Sequence, residues 1–319
     1  MRIKRASGLA RSRNKSRKGK DTKEKMKTNT TKGSLRVALA YASWGVLTIF
    51  WNMLAEVDSV YVLAQRIIWS MVFMGVYMAA IHKWQEIAEV FKSRRNLAIC
   101  FVCGILITIN WGVYIFAVNS GHVLDASLGY FLEPVLVGGI GMLVFRERLS
   151  LMEKITFIFA MASLVYMIAA TRTFPVLAVL IAGSFAIYGA VKKSLELTPH
   201  TSLFMETLCM TPFALLFVAY ADVNGAGSIG VLRGAQFLLL PACGVITSVP
   251  LLMYNRGVKE IPYYISGILM YINPTLQFLM GLLYFHEELD KNRFIAFLII
   301  WVGVLFTVYD KVKMMRSAK

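Results

Sequence analysis

The chain has 319 residues, of which 57% are hydrophobic, 13% aromatic and only 16% charged, and its mean hydropathy is +0.61. A water-soluble domain carries about a quarter charged residues, so this composition argues against a soluble enzyme. The formal charge of +16 raises nucleic acid as a partner, but its placement argues against one: 14 Lys and Arg precede residue 37 against only Asp21 and Glu24, directly before the first apolar run, which is the pattern of a cytoplasmic juxtamembrane arm.

The arm, residues 1–33, has no apolar segment, so it reads as disordered and as neither a signal peptide nor a folded domain. An anionic-lipid contact, a solvated tail and true initiation at Met26 are alternative readings of it. Crossing about 30 Å of hydrocarbon takes roughly 17–25 apolar residues, and ten such stretches follow, at about 35–54, 60–81, 97–118, 123–145, 154–170, 175–191, 201–221, 235–254, 263–285 and 293–309, with ends uncertain by a few residues. With the N-terminus inside, the inner loops carry eleven basic residues, Lys83, Arg146, Lys192 and Arg256 among them. The outer loops carry four: Arg172, Arg233, Lys291 and Arg293. The expected class is therefore an all-α integral membrane protein with ten transmembrane helices and both termini cytoplasmic, ending in a short tail at 313–319.

Laid over itself at an offset of 140 residues, the chain matches without a gap from Gly104–Leu149 to Gly244–Leu289. Gly104 falls on Gly244, Thr108 on Ser248, Tyr114 on Tyr254, Pro134 on Pro274 and Gly141 on Gly281; a Phe-x-Glu-x-Leu closes both copies, at Phe145, Glu147 and Leu149 and at Phe285, Glu287 and Leu289. A weaker match joins Trp44-Gly45 to Tyr188-Gly189. Two repeats, 34–171 and 172–312, each hold five spans. Five is odd, so the second copy enters the membrane inverted. Inverted repeats give secondary transporters two conformations of similar energy.

Pro134 and Pro274 lie near the middle of spans four and nine, where each removes a backbone bond and points to a substrate site at mid-depth. Ser266, Met270, Asn273, Gln277 and Gly281 share one face of span nine, and Asp125, Gly129, Tyr130 and Glu133 share one face of span four. These faces, with Asn110, Trp111 and Tyr114 of span three and Ser248 and Tyr254 of span eight, are the expected cavity walls. Charges inside spans are functional candidates because each costs about 2.5–3.5 kcal/mol or more at mid-span. Arg66, Asp125, Glu133 and Glu206 qualify. Glu133 is the candidate coupling or cargo-contacting charge, with an ion pair to Arg66 as the alternative, and Glu206 is expected to pair with Lys192 or Lys193. Ala178, Ala182, Ala186 and Ala190 form a small-residue stripe read as internal packing, or else as a homodimer face. The cysteines at 100, 103, 209 and 243 lie inside spans and the four histidines in separate loops. No metal, cofactor or ATP site is expected, since GxxxxGK[ST] and HExxH are both missing.

The run Asn110-Trp111-Gly112-Val113-Tyr114, then 117–124 (AVNSGHVL) and 126–131 (ASLGYF), with 65–70 (QRIIWS), Pro250-Leu251-Leu252 and 274–279 (PTLQFL), resembles the RarD branch of the EamA-type drug/metabolite transporters over residues 34–312. The resemblance implies ten helices in two EamA repeats around a central cavity, in a bacterial inner membrane, moving a small metabolite or drug. Two positions depart from the pattern: Glu133 stands where Asn is usual, and Asn273 where a small residue is common. Together these readings lead to an alternating-access carrier, compatible with export and with proton coupling through Glu133. An integral-membrane enzyme and a channel are the competing classes.

Overall fold

The computed structural model describes residues 30–317 apart from 147–149, 229 and 262. Most of the expected arm and the end of the tail, like Glu147 and Leu149 of the first Phe-x-Glu-x-Leu, lie outside the described residues. Among the described residues twelve α-helices follow one another: α1 (Thr30–Asn52), α2 (Ser59–Ala80), α3 (Trp84–Lys92), α4 (Arg94–Asn119), α5 (Val123–Val144), α6 (Leu151–Thr171), α7 (Val176–Lys192), α8 (Pro199–Val223), α9 (Leu239–Gly257), α10 (Tyr263–Leu269), α11 (Ile272–Leu283) and α12 (Lys291–Ser317). Local chemistry sets several of their starts. The Asp58 carboxylate accepts from the N–H groups of Val60 and Tyr61 at 3.0 and 2.9 Å, and Ser150 and Glu153 close a capping box on α6. Among the described residues, eight helices are long and apolar enough to cross a membrane: α1, α2, α4, α5, α6, α8, α9 with its flanking 3-10 turns, and α12.

The remaining two expected spans depart from the simple picture. The sixth is α7, whose 17 residues rise only about 26 Å. The ninth is split into α10 and α11 by a turn at Met270 and Tyr271, so no single helix covers 263–285. Pro274 consequently sits in the first turn of α11, where the proline's missing donor costs nothing. Pro134 remains inside its helix as expected, and Pro212 and Pro250 are the interior prolines of the second half. Pro274 has no N–H to donate to the carbonyl of Met270 four residues back, which fits a break at that position.

Packing repeats between the halves. A Cβ on Gly104 of α4 meets the backbone carbonyl of Glu206 in α8 at 2.8 Å, and one on Gly244 of α9 meets the backbone of Trp69 in α2. These matched close approaches relate α2 to α8 with an offset of 137. The turns after α5 and α11 also agree: Arg146 and His286, at the same register, both take left-handed φ, 55° and 52°. Elsewhere α5 lies between α7 and α11, and α6 against α12. Three of the four stripe alanines, 178, 182 and 186, are buried within the chain, and Gly129 brings α5 onto the Ala178 carbonyl.

Helix α3 was not anticipated, because the stretch reads as a charged loop. It is amphipathic: Ile87 and Val90 are buried beside Met74, Met78 and Phe204, while Lys83, Trp84, Phe91 and Lys92 stay exposed. Glu86 pins it to the start of α8, accepting from Thr198 Oγ1 at 2.8 Å and Thr201 Oγ1 at 2.6 Å, with Lys83 at 2.9 Å. These donors hold the Glu86 carboxyl at about 2, well below the usual carboxylate range. A depressed folded value means that the contact stabilises fully above about pH 4.5 and is lost as pH falls towards 2. Limited proteolysis within α3 by pepsin is therefore expected to accelerate across that acid window, and tryptic cleavage at Lys92 in Glu86→Gln to be faster than in wild type at neutral pH.

Candidate functional site

A cavity of about 670 Å³ lies between the two halves. Its walls are built in pairs. At the offset of 140, Ile107 and Thr247, Trp111 and Leu251, Tyr114 and Tyr254, Tyr130 and Met270, Glu133 and Asn273, and Val137 and Gln277 all line it. At the weaker offset of 144, Tyr41 with Phe185 and Trp44 with Tyr188 do the same, and the packing offset of 137 pairs Arg66 with Leu203. A shared helical face in each repeat thus meets its copy across one space. The polar and charged members fall unevenly: Arg66, Glu133, Thr247 and Gln277 each have a mate of different character.

Of the sequence-predicted cavity residues, Asn110, Trp111, Tyr114, Tyr130, Glu133, Pro134, Tyr254, Met270, Asn273 and Gln277 line the space, whereas Ser248 and Pro274 do not. Ser248 is buried in the helix packing, and its neighbour Thr247 faces inward instead; a step of one residue turns a helix by about 100°. Pro274 carries the carbonyl that Ser127 Oγ of α5 donates to at 2.9 Å, so it joins the two helices rather than the cavity. The Asn110 amide donates to the Ile181 carbonyl at 2.8 Å and to Ser184 Oγ at 3.1 Å, both on α7. Gln277 donates to Asn273 at 2.9 Å and leaves its own carbonyl oxygen without a partner. Tyr114 and Tyr130 meet edge to face at 5.6 Å.

The aromatic wall from α1 was missed as part of the cavity. Tyr41 packs against Trp44 and Tyr254 with ring centroids 5.5 and 5.6 Å apart. The Trp44 register match was the signal available for it, but an aromatic on a single apolar helix reads equally as facing lipid.

The buried charges separate into two kinds. Glu206, fully buried, accepts from Tyr188 at 3.0 Å and Ser202 at 2.5 Å and pairs with Lys192 at 3.0 Å. Asp125, in the first turn of α5, pairs with His122 at 3.3 Å and Arg293 at 3.5 Å, outside the cavity. Arg66 and Glu133 both line the cavity, yet among the described residues neither makes an ion pair, so the Arg66–Glu133 bridge raised as the alternative role of Glu133 is absent. Arg66 instead lies between two tryptophan rings, its guanidinium carbon 4.0 Å from Trp111 and 4.8 Å from Trp51, and donates through Nε to Thr247 Oγ1 at 3.0 Å. Each aromatic face stabilises a desolvated guanidinium by about 2 kcal/mol, which offsets part of the cost of burying it.

The two ends of the cavity differ. One end reaches Glu153 and Pro199 at the starts of α6 and α8 and Lys192 and Asn255 at the ends of α7 and α9. The other is filled by Trp51, Leu54, Val57, Tyr61, Val123, Leu232 and Cys243, all buried in one cluster. Hydrogen bonds hold that end together. Tyr61 donates to Asp222 at 3.0 Å, and the Glu287 carboxylate accepts from the N–H groups of Val123 and Leu124 at 2.5 and 2.8 Å. The second copy of the Phe-x-Glu-x-Leu thus caps the N-terminus of α5 in the first repeat, while its counterpart Glu147 falls outside the described residues.

Comparison with known proteins agrees with this arrangement. The EamA-like transporter family matches twice, over residues 31–169 and 173–309. The uncharacterized transporter YojE of Bacillus subtilis (strain 168) is 36% identical, covering 91% of this chain and 98% of that protein. Protein RarD of Escherichia coli (strain K12) is 30% identical, covering 90% and 97%. A protein of known crystal structure superposes with a TM-score of 0.60 at 14% identity, over 88% of this chain and 98% of that one, which bears on the fold alone. Duplicated family match, paired cavity walls and apolar helices lead to one conclusion: the chain belongs to the EamA-like transporter family and is a multi-pass membrane protein.

Proposed function

We propose that the protein is a secondary carrier of a small organic metabolite or drug, working by alternating access in a bacterial inner membrane. In this reading α7 and the α10–α11 pair complete ten crossings, both termini are cytoplasmic and the second repeat is inverted. The observation that carries it is the cavity walled by same-register residues of both repeats and sealed at one end only. If the halves are inverted copies, exchanging their shapes opens the sealed end and seals the open one, at little cost in energy. The basic loops beside Lys192 and Arg256 support a cytoplasmic open end through the positive-inside rule. Unpaired in the cavity, Glu133 is the group suited to exchange a proton for the solute. Counterflow in proteoliposomes tests the carrier mechanism, using a solute chosen by thermal-shift screening. Preloaded solute is expected to accelerate entry of labelled solute from the other side, whereas a channel or an enzyme shows no such acceleration.

A further inference from the structure

Arg66 is 6% exposed, lines the cavity beside its sealed end and has no carboxylate within 4 Å among the described residues. Its Nε is committed to Thr247, but its Nη1 has no hydrogen-bond partner. The Tyr114 hydroxyl, on the helix that carries Trp111, is likewise buried without a partner. A permanently charged fork of donors left partly unused in a low-dielectric space is costly unless something completes it. The fold does not demand the guanidinium: at the related position of the other half Leu203 occupies the same cavity wall. Among the described residues, the only other arginine or lysine lining the cavity, Lys192, is neutralised by Glu206.

We propose that Arg66 is an anion-binding subsite that receives the carboxylate of an organic solute, with Tyr114 as a second donor and the Trp111 ring as the apolar platform beside it. The inference rests on the carrier reading and narrows its cargo to monoanionic organic acids with a flat apolar body. A single guanidinium matches one negative charge in number and its planar fork matches a carboxylate in shape. A phosphate dianion brings a second charge that, among the described residues, no free cation lining the cavity answers. The unpaired Gln277 carbonyl and Glu133 on the facing walls suit a donor group at the other end of the solute.

The test is equilibrium binding to purified full-length protein in detergent, followed by tryptophan fluorescence, since Trp51 and Trp111 flank Arg66. The probes are 3-phenylpropanoate, its neutral primary amide and inorganic phosphate. Wild type is expected to prefer the carboxylate to the amide roughly 10- to 100-fold, the range for a hydrogen bond to a charged group, and to ignore phosphate. Arg66→Gln is expected to bind acid and amide equally, and Arg66→Lys, which keeps the charge without the fork, to retain a reduced preference. If Arg66→Gln does not elute as a folded species, Arg66→Lys and Tyr114→Phe carry the comparison, each lowering the preference while leaving the amide unaffected. Equal affinity of wild type for acid and amide, no binding of either, tighter binding of phosphate, or an undiminished preference in these variants overturns the proposal. Binding needs no transport, so failed counterflow with this preference intact refutes the carrier reading and leaves the subsite standing.

Discussion

Glu133→Gln is expected to abolish accumulation driven by a pH gradient while leaving counterflow in place. A carrier that exchanges one proton per solute accumulates its cargo roughly tenfold per unit of pH difference, since one unit is worth about 1.4 kcal/mol. The glutamine variant is expected to reach only equal concentrations on both sides. The reasoning is local. Glu133 lines the cavity one residue before the interior Pro134 of α5, and among the described residues it has no cation and no hydrogen-bond donor. Glu206, by contrast, is held by Lys192, Tyr188 and Ser202, so changing its charge costs an assembled network. A carboxylate without such support loses its water when the cavity closes around it, and taking up a proton relieves that loss. The mate of Glu133 is Asn273, which cannot ionise, so at this paired position only the first half carries a titrating group. Accumulation measured in proteoliposomes with an imposed pH step decides the matter: a glutamine variant that still concentrates solute removes Glu133 from coupling.

Glu287→Ala is expected to loosen the sealed end. The carboxylate caps two N–H groups of α5 across 164 positions of chain, and losing a side-chain cap costs about 0.5–2 kcal/mol. If the cap exists only when that end is closed, the closed-to-open ratio falls by roughly 2- to 30-fold. Cys243, fully buried in the sealing cluster, is a native reporter once Cys100, Cys103 and Cys209 are replaced by alanine. Its labelling by a membrane-impermeant maleimide added from outside is expected to rise by that factor in Glu287→Ala. Glu287→Gln, which keeps an acceptor but loses the charge, is expected to fall between wild type and alanine. Unchanged labelling in both variants would show that the apolar cluster alone holds the end shut.

Much of this architecture was readable beforehand because it depends on length, polarity and register. Helix α2 runs over Ser59–Ala80 where 60–81 was expected, and α7 over Val176–Lys192 where 175–191 was expected. The match at offset 140 named Tyr114 with Tyr254 and, by its register, Glu133 with Asn273, and both pairs meet at the cavity. Glu206 found Lys192 because both lie near one end of their helices. The amphipathic α3 is hard to read from sequence because only two of its residues, Ile87 and Val90, are buried, set among charged neighbours Glu86, Glu89 and Lys92, and their burial depends on α2 and α8.

The amino-acid sequence by itself determined that the chain is a bundle of apolar helices, that it is duplicated, and which register relates the copies. Hydrocarbon demands apolar length, and a duplication leaves its glycines and prolines at constant spacing, so both are properties of the chain as a string. Only the tertiary structure decided that Thr247 and not Ser248 faces the cavity, that tryptophan rings rather than a carboxylate accompany Arg66, that the ninth apolar stretch is broken, and that Glu287 caps α5. Each of these turns on how far a helix is rotated and which distant segment lies within about 3 Å of a given polar atom, and no periodicity along one helix specifies its rotation against another.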